Sequence, residues 1–145
     1  MKLLIEQSLD IKETEIKITC GIMDERLKRL IEQIKLYSFS INAQKDGLTI
    51  PIPLEDIYYF EAVDNQVFLY TGNEVYECSK KLYELEELLM DTSFLRISKS
   101  CILNTSVVKS VKASLSGRIE ASLQNDEKQI VSKHYIQNFK RKFIF

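Results

Sequence analysis

Turn-forming residues recur at short intervals from Phe39 onwards, and this spacing is the strongest constraint on the fold. Asp-Gly at 46–47, Gly-Asn at 72–73, Ser-Gly at 116–117 and Asn-Asp at 125–126 separate short stretches in which apolar and polar residues alternate. Such alternation is typical of half-buried strands, whereas βαβ units need longer helical crossovers. The sequence therefore predicts an antiparallel meander or sandwich: a mainly β fold with short helices, α+β overall.

The individual elements follow from the same pattern. Strands are expected over residues 39–44, 48–52, 57–62, 67–71, 75–79, 94–97, 107–115, 118–123 and 129–131. Pro51 and Pro53 cannot donate to a ladder, so the second strand is expected at a sheet edge. A helical turn is expected at 54–56, an amphipathic helix over 82–89 and a terminal helix capped by Ser132. The acids of the middle helix are expected to face away from any nucleic acid.

The N-terminal 46 residues predict a small α+β lobe of two strands and one helix. Residues 3–9 and 16–20 alternate in the manner of strands, and apolar residues recur at helical spacing over 23–34. The apolar stripe of that helix includes Leu27 and Ile31, and it must be covered because two short strands alone are marginally stable. Packing within the chain and self-association as a dimerisation lobe both satisfy that need, and the sequence leaves both open.

Charge is unevenly distributed along the chain, although the formal net charge is only −1. Residues 47–95 carry two Lys/Arg against ten Asp/Glu, whereas residues 96–145 carry ten against three. A local basic surface attracts a polyanion even on a slightly acidic chain, because exposed charges act over about 8 Å at physiological salt. The C-terminal segment is therefore a candidate nucleic-acid surface, although a solvated charged face explains the same counts.

The composition argues against several other classes of protein. With 145 residues, 45% of them hydrophobic, the chain can bury one sizeable core. Three cysteines without CxxC spacing and a single histidine disfavour a disulfide framework, a structural metal site or another cofactor. No Gly-rich phosphate loop or hydrolase motif occurs, so we expect no enzyme. Because no apolar run approaches about 18 residues and Glu6 interrupts any signal peptide, the chain is expected to be cytoplasmic.

Cys101 has two interpretations. It lies within an apolar run, where a cysteine is most often a small buried hydrophobe. A redox-active thiol is the alternative, because the neighbouring Lys99 would favour the thiolate if both side chains were exposed. Burial decides between the two.

One segment is more specific than the rest of the chain. Residues 94–104, with the sequence FLRISKSCILN, place basic and hydroxyl side chains between apolar ones. Together with residues 53–57, 82–88 and 131–135, this segment closely resembles the LytTR-type DNA-binding domain of bacterial transcription regulators. The resemblance covers roughly residues 47–145, so the predicted division is a lobe of residues 1–46 followed by a LytTR-type domain of residues 47–145.

The resemblance implies an elongated domain of antiparallel sheets that inserts loops, rather than a recognition helix, into successive major grooves. It implies a sequence-specific, double-stranded DNA-binding transcription regulator. Regulators of this type act as homodimers on paired sites and are sometimes restrained by an inhibitory membrane-protein partner. Because the lobe is too short for a receiver domain, we expect a free-standing regulator.

The first contact loop implied by the resemblance comprises residues 64–66. Asn65 and Gln66 each carry an amide that can form two hydrogen bonds with adenine, so both are candidate base readers. Asp64-Asn65 is also favourable turn chemistry by itself. The sequence leaves base reading and a purely structural turn equally open.

The second contact loop comprises residues 96–100. Alternation turns Ile97 inward and leaves Arg96, Ser98, Lys99 and Ser100 available. Lys99 suits guanine O6 and N7, while Arg96 and the serine hydroxyls suit phosphates. The family often has His followed by Arg or Asn at the positions of Ser98 and Lys99, so we expect an altered sequence preference with binding retained.

The third contact loop lies at the start of the terminal helix, residues 132–135. A helix N-terminus offers free N–H groups that favour phosphate, and Lys133 adds a full positive charge. The family usually carries a second basic residue, commonly Arg, at the position of His134, and histidine is mostly uncharged at neutral pH. A surface histidine without a role is therefore an open alternative.

A function from another class is also consistent with the sequence. A protein-interaction module would use the basic segment 96–145 to bind an acidic partner or an anionic membrane surface. Salt-dependent binding is common to both functions. Discrimination of one duplex sequence from another separates them.

Overall fold

Three helices and ten strands make up the part of the chain that the structure describes. This computed structural model describes residues 1–143, with Phe143 described by its backbone alone, so residues 144 and 145 of the predicted domain lie outside the described residues. The helices are α1 (Glu25–Ser38), α2 (Leu82–Leu88) and α3 (Ile136–Phe143). The strands are β1 (Ser40–Lys45), β2 (Leu48–Pro53), β3 (Ile57–Val63), β4 (Gln66–Thr71), β5 (Val75–Cys78), β6 (Phe94–Ser98), β7 (Cys101–Asn104), β8 (Val108–Ala113), β9 (Ile119–Leu123) and β10 (Lys128–Val131). Single 3-10 turns occupy Leu54–Asp56, Thr105–Val107 and Lys133–Tyr135.

Two antiparallel sheets organise these strands. The larger sheet has seven strands in the order β2-β1-β5-β4-β3-β7-β6, and the smaller has three in the order β10-β9-β8. Every pairing of neighbouring strands within them is antiparallel. The prediction of a mainly β, α+β fold is therefore confirmed.

Strand β7 is absent from the strands that the sequence predicts, for a physical reason. All four of its residues are buried, so it shows no alternation of apolar and polar side chains. Ile102 packs into one core with Phe60 of β3, whereas Leu103 packs into a second core with Tyr59. Because neighbouring residues of a strand point to opposite faces, β3 and β7 form a wall shared by two cores.

The β1–β2 hairpin turns at Asp46 and Gly47, whose φ angles are 52° and 77°. Two consecutive positive φ angles are those of a type I′ turn, whose twist suits a two-residue hairpin. With two turn residues, the alternation of the antiparallel ladder turns the backbone nitrogens of Pro51 and Pro53 away from β1. β2 is an edge strand as predicted, and its prolines remove two hydrogen-bond donors from the free side of that edge.

Helix α1 begins near the predicted position because it is capped there. The Asp24 carboxylate accepts a hydrogen bond from the Leu27 N–H at 2.8 Å. Leu27 and Leu36 are buried, and the helix packs against the 3-10 turn at 54–56 and against β2. Packing within the chain therefore covers one side of this helix, and its role in self-association stays a prediction.

The two strands predicted in the N-terminal lobe are wrong. Residues 1–24, here called the N-terminal arm, contain no helix or strand, and all residues from 1 to 26 are exposed. A period of two yields a strand only where another strand pairs with it, and the described part of the chain pairs nothing with residues 3–9 or 16–20. β1, which also lies in the first 46 residues, instead pairs with β2 in the larger sheet.

Candidate nucleic-acid interface

The first predicted contact loop is a tight hairpin turn between β3 and β4. Asp64 and Asn65 have φ angles of 49° and 65°, so both adopt the left-handed backbone of a type I′ turn. Asp and Asn enter this region more readily than other non-glycine residues, which accounts for both residue types. Gln66 begins β4, and its side-chain nitrogen donates to the Val67 carbonyl at 3.3 Å. The Asn65 side chain is exposed and open to a ligand.

The second predicted contact loop is the turn between β6 and β7, at Lys99 and Ser100. The Ser98 hydroxyl accepts a hydrogen bond from the Ser100 N–H at 3.2 Å, which tightens the turn. The Ser100 carbonyl accepts another from the Ala62 N–H at 2.8 Å, so the turn is bonded directly to β3. Ile97 is fully buried as predicted, whereas Lys99 is exposed.

The Arg96 guanidinium braces this turn. Its Nε donates to the Ser98 carbonyl at 2.7 Å, and a terminal nitrogen donates to the Lys99 carbonyl. The other terminal nitrogen pairs with Glu86 of α2 at 2.9 Å, so this acid points towards the contact loop, contrary to the expectation for α2. Only 21% of the Arg96 side chain is exposed. This geometry favours a positioning role, and phosphate contact by Arg96 stays a prediction.

The third predicted contact loop is a 3-10 turn that precedes α3. The predicted Ser132 cap is wrong, because its side chain makes no capping bond and its N–H donates to the Ile97 carbonyl at 2.9 Å instead. Lys133 and His134 are exposed. A Cβ placed on Gly117 would lie 3.2 Å from Lys133 Cε, so the lysine stem crosses the β8–β9 turn. The bond to Ile97 sets this loop beside the second one.

A basic pair that the sequence pattern did not identify lies next to the first contact loop, which Lys81 contacts directly. Lys80 and Lys81 follow β5, and Lys81 Nζ donates to the Asn65 carbonyl at 3.3 Å. They are the only Lys or Arg among residues 47–95, which carry ten acids. A lone basic pair in so acidic a segment is the signal that could have identified them.

These bonds join the three predicted loops into one continuous surface at one end of the larger sheet. Lys81 contacts the β3–β4 turn, Ala62 bonds β3 to the β6–β7 turn, and Ile97 bonds β6 to the loop before α3. This surface, here called the basic end, comprises residues 64–66, 80–81, 96–100 and 132–135. Its exposed lysines outnumber its acid Asp64, and a positive surface attracts phosphate.

Cys101 follows the second contact loop and is only 4% exposed. Burial raises the pKa of its thiol to about 12, with Glu61 acting in the same direction and Arg96 against it. The thiol therefore stays protonated at neutral pH, whereas the thiolate is the reactive form. The structure favours a small buried hydrophobe over a redox-active thiol.

The described residues also lack two features that would suggest another kind of site. Within residues 1–143, no three His, Cys, Asp or Glu side chains come together in a way that could hold a metal ion. In the same part of the chain, no helix has both the length and the apolar character needed to span a membrane.

The sequence profile of the LytTr DNA-binding domain matches residues 47–144, which include every residue of the basic end. The chain belongs to this family. A solved LytTr DNA-binding domain, from a Bacillus cereus protein described as a methyl-accepting/DNA response regulator, has the same fold. It matches with a TM-score of 0.70 and 25% identity, covering 74% of this chain and 99% of that one. The predicted resemblance is confirmed, and the function of the family is DNA binding in transcription regulation, not catalysis.

Curated relatives of this LytTr chain differ in length. The sensory transduction protein LytT of Enterococcus faecalis is 28% identical over 88 residues, which are 61% of this chain and 36% of that protein. An uncharacterized HTH-type transcriptional regulator of Staphylococcus aureus (strain NCTC 8325 / PS 47) is 29% identical over 144 residues, covering 98% and 97%. The name of this relative refers to a helix-turn-helix motif. Within residues 1–143 of the present chain, no two α-helices are joined by a short turn as that motif requires.

Proposed function

We propose that this LytTr protein recognises specific duplex DNA sequences by inserting the turns of its basic end into successive major grooves. DNA-binding transcription regulation follows from family membership. The observation that supports the loop assignment is the pair of backbone bonds, at Ala62 and Ser132, that hold three turns of separate sequence side by side. The major groove is about 12 Å wide and admits a two-stranded ribbon, so a hairpin turn fits it.

The residues of the basic end would have different roles, which follow from the chemistry of their side chains. Lys99 is exposed on a braced turn, so its amine is the proposed reader of guanine O6 and N7. Lys80, Lys81 and Lys133 are the proposed phosphate contacts, because their flexible stems and point charges suit a polyanion without a fixed geometry. Arg96 would position Lys99 rather than contact the DNA.

The regulator is also proposed to act as a homodimer on paired sites. A dimer places two copies of the basic end on half-sites about one helical turn apart, and the symmetry of the site then mirrors that of the protein. The inhibitory membrane-protein partner implied by the resemblance stays a prediction.

Selection of bound duplexes from a random pool tests the proposed function. We expect one enriched pattern containing two copies of a half-site, and at least about 10³-fold tighter binding of it than of a shuffled duplex. Lys28 lies on α1 outside the basic end, so Lys28→Ala removes one positive charge, as loss of Lys99 would, without altering the proposed interface. Lys28→Ala should leave the selected pattern unchanged. Equal binding of selected and shuffled duplexes would instead support the interaction module.

A further inference from the structure

The N-terminal arm exposes more apolar surface than its length warrants. It holds nearly half of the exposed large hydrophobic side chains of residues 1–143, in a segment of 24 residues. Ile5 is 82% exposed and Ile16 is 61% exposed. Contact of so many apolar side chains with water is unfavourable, and a partner that covered them would be stabilised by their burial.

The second half of the arm has the pattern of a strand that lacks its neighbour. Residues 14–20 contain no turn or bend, and Ile16, Ile18 and Cys20 alternate with polar residues. A turn closed by a 3.2 Å bond from the Ile11 N–H to the Ser8 carbonyl separates this segment from the first half of the arm. Its exposed backbone groups are therefore available to pair with another strand.

We propose that residues 14–18 of two copies of this chain pair as antiparallel strands around a two-fold axis at Ile16. In this register Ile16 faces Ile16 of the second copy, and Thr14 faces Ile18. Glu15 of each copy faces Lys17 of the other, so the axis creates two ion pairs of opposite charge. The charge pattern is thus complementary to itself.

Neighbouring registers lose this complementarity. A shift by one residue sets Ile16 opposite a charged side chain and mismatches the two faces. A shift by two sets Lys17 opposite Lys17 or Glu15 opposite Glu15, and like charges directly opposite are destabilising. Pairing with residues 9–13 instead would require a straight strand through the turn at 9–10. The register centred on Ile16 therefore satisfies both charge and apolar character.

Other features of the fold support arm-to-arm pairing. The free edge at β2 is a poor template for an incoming strand, because Pro51 and Pro53 offer no N–H there. A two-stranded ribbon is marginal by itself, so the isoleucine face of the pair needs an apolar surface. The exposed side chains of Met23, just before α1, and of Leu30, on α1, are proposed to supply it.

This arm pairing rests on the homodimer proposed above, and charge exchange in the full-length protein tests it. Glu15→Lys and Lys17→Glu each set like charges opposite one another, so each variant should self-associate at least about tenfold more weakly in sedimentation equilibrium. The double variant E15K/K17E restores opposite charges and should regain wild-type association. An equimolar mixture of the two single variants should form heterodimers, because one chain then carries lysine at both positions and the other carries glutamate at both.

Matched controls separate register from net charge. Glu13 faces Thr19 and Lys12 faces Cys20 in the proposed register, so Glu13→Lys and Lys12→Glu should associate like the wild type. A dimer that is insensitive to the Glu15 and Lys17 exchanges would overturn the arm pairing and leave the homodimer standing. A wild-type monomer at every concentration would overturn both. Every variant should bind a single selected half-site normally, and a loss there would assign the arm to DNA contact instead.

Discussion

Two hairpin turns lie side by side at the basic end, and they are held in different ways. The β3–β4 turn is fixed by its own backbone, because Asp64 and Asn65 both take positive φ angles. The β6–β7 turn is held by a side chain, because the Arg96 guanidinium bonds the carbonyls of Ser98 and Lys99. The first turn therefore depends on two local residue types, whereas the second gains three side-chain or inter-strand supports, from Arg96, the Ser98 hydroxyl and the Ala62 N–H.

This difference determines how the conformation of each turn responds to substitutions elsewhere in the chain. Arg96 also pairs with Glu86, so the β6–β7 turn is connected to α2 through one guanidinium. The β3–β4 turn gains one bond from Lys81, to the Asn65 carbonyl, and no ion pair of Lys81 with another element accompanies it among the described residues. We therefore expect distant substitutions to alter the second turn more than the first.

Thiol labelling compares the two turns directly, because a buried cysteine lies near each one. Cys101 follows the β6–β7 turn, and Cys78 pairs with Val67 close to the β3–β4 turn. Burial raises the pKa of the Cys101 thiol to about 12, so the thiol stays protonated at pH 8. We expect iodoacetamide to modify the exposed Cys20 at least about 100-fold faster than either buried thiol, as followed by mass spectrometry.

The pH dependence of the same thiol has a defined sign. Because the folded pKa of Cys101 lies above the unfolded value of about 8.5, its contribution to stability is complete below that pH. The contribution is lost as the pH rises from about 8.5 towards 12. Cys101→Ser should weaken this alkaline loss in urea titrations, and an unchanged pH profile would mean that the thiol is not buried as described.

Arg96→Ala should cost about 2 to 3 kcal/mol in affinity for the selected duplex, because hydrogen bonds from a charged donor to the turn are lost. It should also accelerate labelling of Cys101 without accelerating Cys78. Arg96→Lys keeps the charge but not the planar fork, so a positioning role predicts that it fails to restore affinity. Full recovery with lysine would instead indicate a direct phosphate contact.

Lys99→Ala should cost about 1 to 2 kcal/mol and relax the preference at one base pair. The exposed amine lies at the tip of the turn, and its removal leaves the Arg96 bonds to backbone carbonyls in place. Repeated duplex selection with the variant measures the preference at each position. Uniform weakening across all sequences would make Lys99 a phosphate contact.

Asn65→Gly and Asn65→Ala separate the two roles open to Asn65. Glycine accepts a φ of 65° without strain, whereas alanine should cost about 1 kcal/mol of folding stability. If the side chain reads adenine, both variants should lose the same base preference in duplex selection. If Asn65 serves the turn alone, Asn65→Gly should bind like the wild type, with a midpoint in urea at least as high.

The sequence predicted the features that depend on neighbouring residues. Asp-Gly and Asp-Asn identified two hairpin turns, alternation turned Ile97 inward, and Pro51 marked the sheet edge. Such signals are local, because backbone conformation and the period of two are properties of a few consecutive residues.

Features that depend on the assembled fold were not predictable in the same way. β7 lost its alternation because both of its faces are buried. The sequence alone suggests that Arg96 contacts phosphate. Only the assembled fold brings Glu86 and two backbone carbonyls within hydrogen-bond distance of its guanidinium. The prediction for the N-terminal arm is wrong for the opposite reason. Its alternation is clear, but no strand of the described chain pairs with it.

The prolines of β2 have a consequence for assembly beyond the single molecule. An unprotected edge would allow one sheet to add to the next without limit, as in a fibre. Pro51 and Pro53 close that route, whereas pairing across a two-fold axis consumes both arms at once. Association through the arm would be isologous: both copies use the same edge of the same segment, so each such contact closes at two copies.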